Sequence, residues 1–151
     1  MSAILLCLAI AIHDVDGPIR CQTGERIRLR GIGATEMSGN CNPRQPCVIG
    51  DPFEQRRRMA AALGAEIDRE DRLKDGTLNR GGQLWLKTPI RLRCEITGSS
   101  YKRLNAWCRL PDGRDVSCIA ISTGLAARWP QYDSRNRLKG CAKPAVHSRR
   151  L

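Results

Sequence analysis

The chain has no run of apolar residues near the ~18–20 needed to cross a bilayer as a helix. That excludes a helical membrane span. No Cys-x-x-Cys pair occurs, which excludes an array of zinc fingers. The two histidines, His13 and His147, are isolated, and neither has a metal-ligand partner at useful spacing. No Ser/His/Asp or Cys/His arrangement stands out, so nucleophilic catalysis of those kinds has no candidate. Aromatics are scarce: three Trp, two Tyr and one Phe, leaving few residues able to stack on a base. Disorder over the whole chain is excluded, because 41% of the residues are hydrophobic and their runs are patterned.

What is present is basic and rich in cysteine. The 151 residues suit one domain. Lys and Arg number 26 against 15 Asp and Glu, a net charge of +11, with a pI near 9.8. Such a charge favours acidic partners: nucleic acid, anionic membrane or acidic protein. Eight cysteines in a small basic chain point to disulfides and an oxidising compartment, secreted or periplasmic. Their full pairing has about 105 solutions, so it stays open here. Cys41 and Cys47 flank a Pro-rich loop and are placed to close a small ring. Cys118 and Cys141 are placed to tie the last helix to the tail. Free thiols acting as small hydrophobes are the alternative.

Residues 2–12, SAILLCLAIAI, have the apolar character of a signal-peptide core. They lack a basic segment before the run and a small-residue cleavage site after it. Ile4 to Ile12 is therefore read as a buried first strand, with signal function as the alternative. Extension resumes at Ile19–Cys21, and Gln22-Thr23-Gly24-Glu25 turns the chain. Arg26 to Ile32 alternates strictly, with Ile27, Leu29 and Gly31 on one face and arginines on the other. Residues 33–50 read as a loop. Asp51-Pro52 starts a helix that ends at Gly64. Residues 66–76 carry five acids and three bases and read as a solvated segment or a helical extension. Leu84 to Ile96 is extended, Gly98-Ser99-Ser100 turns, and Leu104 to Leu110 is the next strand. Asp115 or Ser117 caps a helix running through Ala126 and stopping before Pro130. Five strands, with one helix after the third and another after the fifth, predict an α+β fold: a five-stranded OB-type barrel with two to three helices. It occupies residues 1–132, with a charged insert at about 66–88, and a basic tail follows from 133 to 151.

Four segments come in a telling order: DVDGPIRC, TGERIRLRGIGATE, YKRLNAWCRLPDGRDV and IAISTGLAARW. Together they resemble the staphylococcal-nuclease, or thermonuclease-like, family. That pattern has V-x-D-G-D-T, then R-L-x-x-I-D-x-P-E, Y-G-R, D-G-x-x-V and a helix with G-L-A. No single motif is specific; the order carries the likeness, over roughly residues 5–132.

The resemblance implies a calcium-dependent phosphodiester hydrolase, an endo- or exonuclease acting on DNA or RNA. Arg28 and Arg103 match the family's two phosphate-binding arginines, and Glu36 matches its general base. Lys102 stands where the family has Gly. Arg26, Arg30, Lys102 and Tyr132 are the further candidates for nucleic-acid contact, with Trp129 and Trp107 as stacking candidates. Core filling is the alternative use of Trp107. The calcium site does not carry over: its two ligand aspartates fall on Pro18 and Gly33. Asp14, Asp16 and Pro18 share a strand face, so Asp16, with Asp14 as second choice, is the carboxylate left to reach it, and strand geometry sets Asp16 nearly 7 Å upstream of position 18. Calcium affinity should fall severely. The expectation is thus a monomeric nuclease of weakened or lost activity, or an inactive nucleic-acid-binding module of the same fold. A disulfide-braced protein with a protein partner is the third reading. The tail bases Arg135, Arg137, Lys139, Lys143, Arg149 and Arg150 read as a solvated end or as extra phosphate contacts.

Overall fold

The computed structural model describes residues 3–141. Its elements, in chain order, are β1 Ala3–Ile12, β2 Ile19–Cys21, β3 Arg26–Leu29, β4 Ile32–Gly33, α1 Pro52–Ala62, β5 Ile67–Glu70, β6 Leu84–Ser100, β7 Arg103–Arg109, α2 Val116–Ser122 and β8 Ala127–Arg128, before a 3-10 turn at Pro130–Tyr132. The sheet runs β1-β2-β3-β7-β6, and β1 also pairs with β6. Those five strands therefore close on themselves, a small α+β fold of OB-barrel type. The pair β3–β7 is parallel and the other barrel pairs are antiparallel. Strand β5 extends the sheet from the side of β6, and β4 pairs with β8 in a separate short ribbon.

The alternation of β3 predicts its facing. Ile27 and Leu29 are buried in the barrel, joined by Ile12 of β1, Ile19 of β2, and Leu84 and Leu92 of β6. Met59 and Ala60 of α1 and Val116 and Ala120 of α2 close the ends of this core. Asp51 caps α1 by accepting from the Phe53 N–H at 3.0 Å, with Pro52 in the first turn. Asp115, not Ser117, caps α2, accepting from Cys118 N at 2.9 Å. The Ser117 hydroxyl donates instead to the Arg30 carbonyl.

The described cysteines all pair: Cys7–Cys21, Cys41–Cys47, Cys94–Cys108 and Cys118–Cys141. The pairings Cys41–Cys47 and Cys118–Cys141 are those expected from position. Cys94 and Cys108 face each other across β6 and β7, so register alone brings them together.

Several boundaries differ from the sequence expectations. The strand after Gly24 ends at Leu29, because Gly31 has a positive φ of 82° and Ile32 joins a different sheet. Helix α2 stops at Ser122, and Leu125 is buried beyond it. The β6–β7 turn is not at Gly98, which stays in β6 beside a bulge. It is at Tyr101-Lys102, both with positive φ. The segment after Gly64 is neither helical nor wholly solvated. Ile67–Glu70 pairs with β6, and Glu70 turns inward to Arg56.

Arg56 is fully buried, and it makes the insert part of the barrel. Its Nε and Nη2 donate to Glu70 at 3.2 and 2.7 Å, and its Nη1 donates to the His13 and Gly82 carbonyls. Arg57 donates to the other Glu70 oxygen at 2.6 Å. Removing one partner of such a pair leaves an uncompensated buried charge. Glu70→Ala should therefore cost about 3–5 kcal/mol in urea unfolding, whereas Asp68→Ala, in an exposed pair with Arg69, should leave the midpoint nearly unchanged. Equal effects would show that the insert is not anchored through Glu70.

Candidate functional site

The site forms where three segments distant in sequence meet at one end of the barrel. The first is the turn between β1 and β2. It is closed by His13 N donating to Pro18 O at 3.1 Å and by Gly17 N donating to Asp14 O at 3.1 Å. Gly17 has a φ of 107°, and a Cβ there would lie 2.4 Å from the Ile27 carbonyl oxygen. Only glycine lets this turn lie against β3. Leu29 N then donates to Asp16 O at 2.9 Å, fixing the turn to that strand.

The second segment is β3 with its parallel neighbour β7. Because Ile27 and Leu29 point into the core, Arg28 points out. Arg28 lies opposite Asn105 in register, and Arg103 is two residues earlier on β7, on that same outer face. The third is the loop after β4. Glu36 sits there in a tight turn, with its N–H donating to Asn40 O and its carbonyl accepting from Gly39 N, both at 2.8 Å.

These segments enclose a polar cleft of about 180 Å³, lined by His13, Asp14, Asp16, Arg28, Glu36, Asn42, Gln45 and Arg103 among others. The structure therefore brings Arg28, Glu36 and Arg103 together, with Asp16 beside them. A second hollow of about 230 Å³ shares Arg28 and adds Arg30, Trp129 and Tyr132. Arg28 lies 5.7 Å from the Trp129 ring centroid and Arg30 lies 5.3 Å from that of Tyr132. The two rings meet edge to face at 4.7 Å. Tyr132 is in the 3-10 turn, not at the end of an α-helix. Arg26 and Lys102 line neither hollow; Lys102 occupies the exposed β6–β7 turn. Trp107 is buried, with a ring carbon 2.7 Å from where a Gly31 Cβ would be, so it fills the core.

Asp16 is the electrostatic centre of the cleft. It is 4% exposed, and its Oδ2 accepts from Arg28 Nη2 at 3.2 Å and from Gln45 Nε2 at 3.0 Å. Gln45 Oε1 in turn accepts from Asn42 Nδ2 at 3.1 Å. Burial pushes Asp14 well above the ordinary carboxylate value, and the neighbouring Asp16, its hydrogen bond to Asp14, and Glu36 push the same way. Asp14 Oδ1 has no hydrogen-bond partner. Glu36 is also raised, first by burial and then by the field of Asp16, with Arg28 and Asn42 opposing.

Sequence reasoning missed Asn42 and Gln45, and weighed Asp14 only as a second choice for reaching a metal. Gln45 lies in the Cys41–Cys47 ring, which was legible, but nothing in the spacing says that this ring folds over Gly33. A Cβ at Gly33 would lie 2.0 Å from Pro46 O and 2.8 Å from Gln45 Cγ. The space beside position 33 is thus filled by the ring, and neither Pro18 nor Gly33 supplies a carboxylate. Among the described residues, no group of three or more His, Cys, Asp and Glu side chains is arranged to hold a metal ion.

No protein-family model matches the chain, and no curated protein matches it either.

The raised Asp14 has a consequence for stability. The folded state holds a proton that the unfolded chain gives up near its ordinary value of 3.8. Its stabilising share is complete below that pH and is lost as pH rises toward the higher folded value. Asp14→Asn should therefore raise the melting temperature at pH 7, with the difference from wild type disappearing below pH 3.8. A variant less stable than wild type at pH 7 would contradict this protonation state.

Proposed function

We propose that this protein binds nucleic acid by holding a backbone phosphate between Arg28 and Arg103, as the thermonuclease-like family does, but without calcium. One observation carries the reading. Arg28 and Glu36, from one motif, and Arg103, from a second some seventy residues on, converge on a single polar cleft. A guanidinium offers five N–H donors in a planar fork suited to phosphate oxygens. Asp16 engages one Arg28 nitrogen and leaves the rest of the fork free. The net charge of +11 adds a long-range attraction for a polyanion.

Calcium does not fit the donor set. A hard cation needs several oxygens, with carboxylates supplying charge. Here the nearest carboxylate already faces a guanidinium and an amide, and positions 18 and 33 contribute none. Hydrolysis without a Lewis acid forgoes several kcal/mol of transition-state stabilisation. Binding is therefore the stronger function. Slow hydrolysis is the second reading, and the raised Glu36 favours it: a carboxylate pushed up by burial is a better general base than an ordinary one.

The four disulfides are compatible with an extracellular protein, and no helix among the described residues is long and apolar enough to cross a membrane. We place its action outside the reducing cytoplasm, as a monomer.

The test uses fluorescently labelled single-stranded DNA and RNA in EDTA. Arg28→Ala and Arg103→Ala should each weaken binding about tenfold or more, the worth of a charge-assisted hydrogen bond. The log–log salt slope should be about −0.7 per phosphate contact. Salt-independent affinity would overturn the nucleic-acid reading in favour of a protein partner. Cleavage is followed in calcium, manganese and magnesium. Cleavage that requires calcium and is abolished by Glu36→Gln would overturn the calcium-free reading.

A further inference from the structure

The core uses only half of the apolar run of β1. Successive side chains of a strand point to opposite faces. Cys7 and Ala9 are buried, while Ile4, Leu6 and Leu8 point outward at 49%, 73% and 39% exposure. Register sets Ile4 beside Glu95 of β6, Leu6 beside Arg93 and Leu8 beside Arg91. Arg93 in turn lies beside Arg109 of β7. A row of aliphatic side chains thus runs alongside exposed arginines on one outer face of the barrel. Between them is a hollow of about 630 Å³, lined by Leu6, Leu8, Arg91, Arg93, Arg109 and Pro111 among others. It shares no lining residue with the Arg28–Arg103 cleft.

We infer that this face docks the protein on an anionic lipid surface. Ile4, Leu6 and Leu8 enter the boundary of the acyl chains, and Arg91, Arg93 and Arg109 meet the headgroup phosphates. Such docking goes beyond the nucleic-acid reading of the cleft and does not depend on it.

The charge of the face selects its partner. Arg91, Arg93 and Arg109 have no carboxylate partner among the described residues. Arg109 Nη1 donates to the Gly113 carbonyl at 2.7 Å, which leaves its other donors for a ligand. The neighbouring carboxylates are already answered. Glu95 faces Arg137 at 3.4 Å, Asp112 faces Arg114 at 2.8 Å, and Asp115 accepts from Cys118 N at 2.9 Å. Arginine lays its apolar stem along greasy surface and carries its head to polar surroundings. Interfacial binding adds buried apolar area to attraction for anionic lipid, and this face supplies both.

A lipid surface suits the arrangement better than a peptide. Adjacent strands lie about 4.8 Å apart, so β1 and Arg109, two strands away, are separated by about 10 Å. A bilayer offers phosphates and acyl chains over that whole width. A peptide strand added to the edge of β1 would meet the aliphatic row and leave Arg109 out of reach. A second copy would bring the same charge of +11.

The face is preformed. Cys94–Cys108 ties β6 to β7, and Cys7–Cys21 ties β1 to β2. Arg137, which answers Glu95, belongs to a stretch packed on the barrel. Asp133 accepts there from Arg128 Nε and from the backbone N–H groups of Arg137 and Leu138, Leu138 is buried, and Cys141 is bonded to Cys118 of α2. Residues 133–141 are thus not the solvated end expected from composition. Lys143, Arg149 and Arg150 lie outside the described residues.

The experiment is co-sedimentation of the intact, disulfide-bonded protein with vesicles of phosphatidylcholine, alone or with about one third phosphatidylglycerol. Partition should be at least about tenfold stronger on the anionic vesicles. Leu6→Ser should weaken it about tenfold, and Arg91→Ala and Arg93→Ala about fivefold each. Lys74→Ala and Arg28→Ala remove the same charge outside this face and should change it little. Thermal melts like that of the wild type establish that the variants are folded. Failure to bind anionic vesicles, equal partition of wild type and Leu6→Ser, or a loss in Lys74→Ala or Arg28→Ala as large as in Arg93→Ala would overturn the inference. So would absent vesicle binding joined to saturable binding of a synthetic peptide of alternating glutamate and valine that Leu6→Ser abolishes, since it would give the face to a protein partner.

Discussion

The Asp16 carboxylate is the interaction on which the site depends. A buried carboxylate must be partnered, because burial strips away its hydration. Asp16 meets that demand with Arg28 from β3 and Gln45 from the Cys41–Cys47 ring, while its backbone carbonyl holds Leu29. One residue thereby fixes the direction of the arginine, the closure of the ring and the seat of the first turn. The remaining electrostatics follow. Burial first, and then the charge of Asp16, raise both Asp14 and Glu36.

A guanidinium and a primary amide are therefore the partners of the buried Asp16 carboxylate. Hydrogen-bond donors in a fixed arrangement hold an anion without reorganising. They do not polarise a phosphoryl oxygen or a water as a divalent ion does. The same loop that contributes Gln45 also fills the space beside Gly33.

Much of the barrel was legible because its determinants are local. The alternation of Arg26 to Leu29, the Asp51-Pro52 start of α1 and the apolar run of β1 each carry their own signal, though β1 is not buried throughout as expected: Ile4, Leu6 and Leu8 are exposed. The convergence of Arg28 with Arg103 was legible only through motif order, since their meeting depends on parallel pairing across the barrel. Ile67–Glu70 was unreadable as a strand because its charges suit water. Glu70 is buried only by virtue of Arg56, fourteen residues away. The turn at Tyr101-Lys102 was hidden because Gly98 offered the more usual turn residue, while two non-glycine residues took positive φ instead. Gln45 gave no local sign at all. Its role arises from the ring's fold onto the β1–β2 turn.

Nuclear magnetic resonance during a calcium titration of the intact, disulfide-bonded protein tests the central claim most directly. The reporters are the Gln45 side-chain amide and the Asp16 carboxyl carbon. If Arg28 and Gln45 already satisfy the Asp16 carboxylate, millimolar calcium will leave both signals where they are, while a 5′-phosphorylated oligothymidylate added in EDTA will shift the Arg28 guanidinium. Saturable movement of the Asp16 and Gln45 signals with calcium would contradict the account, because it would mean that the amide yields its place to the ion.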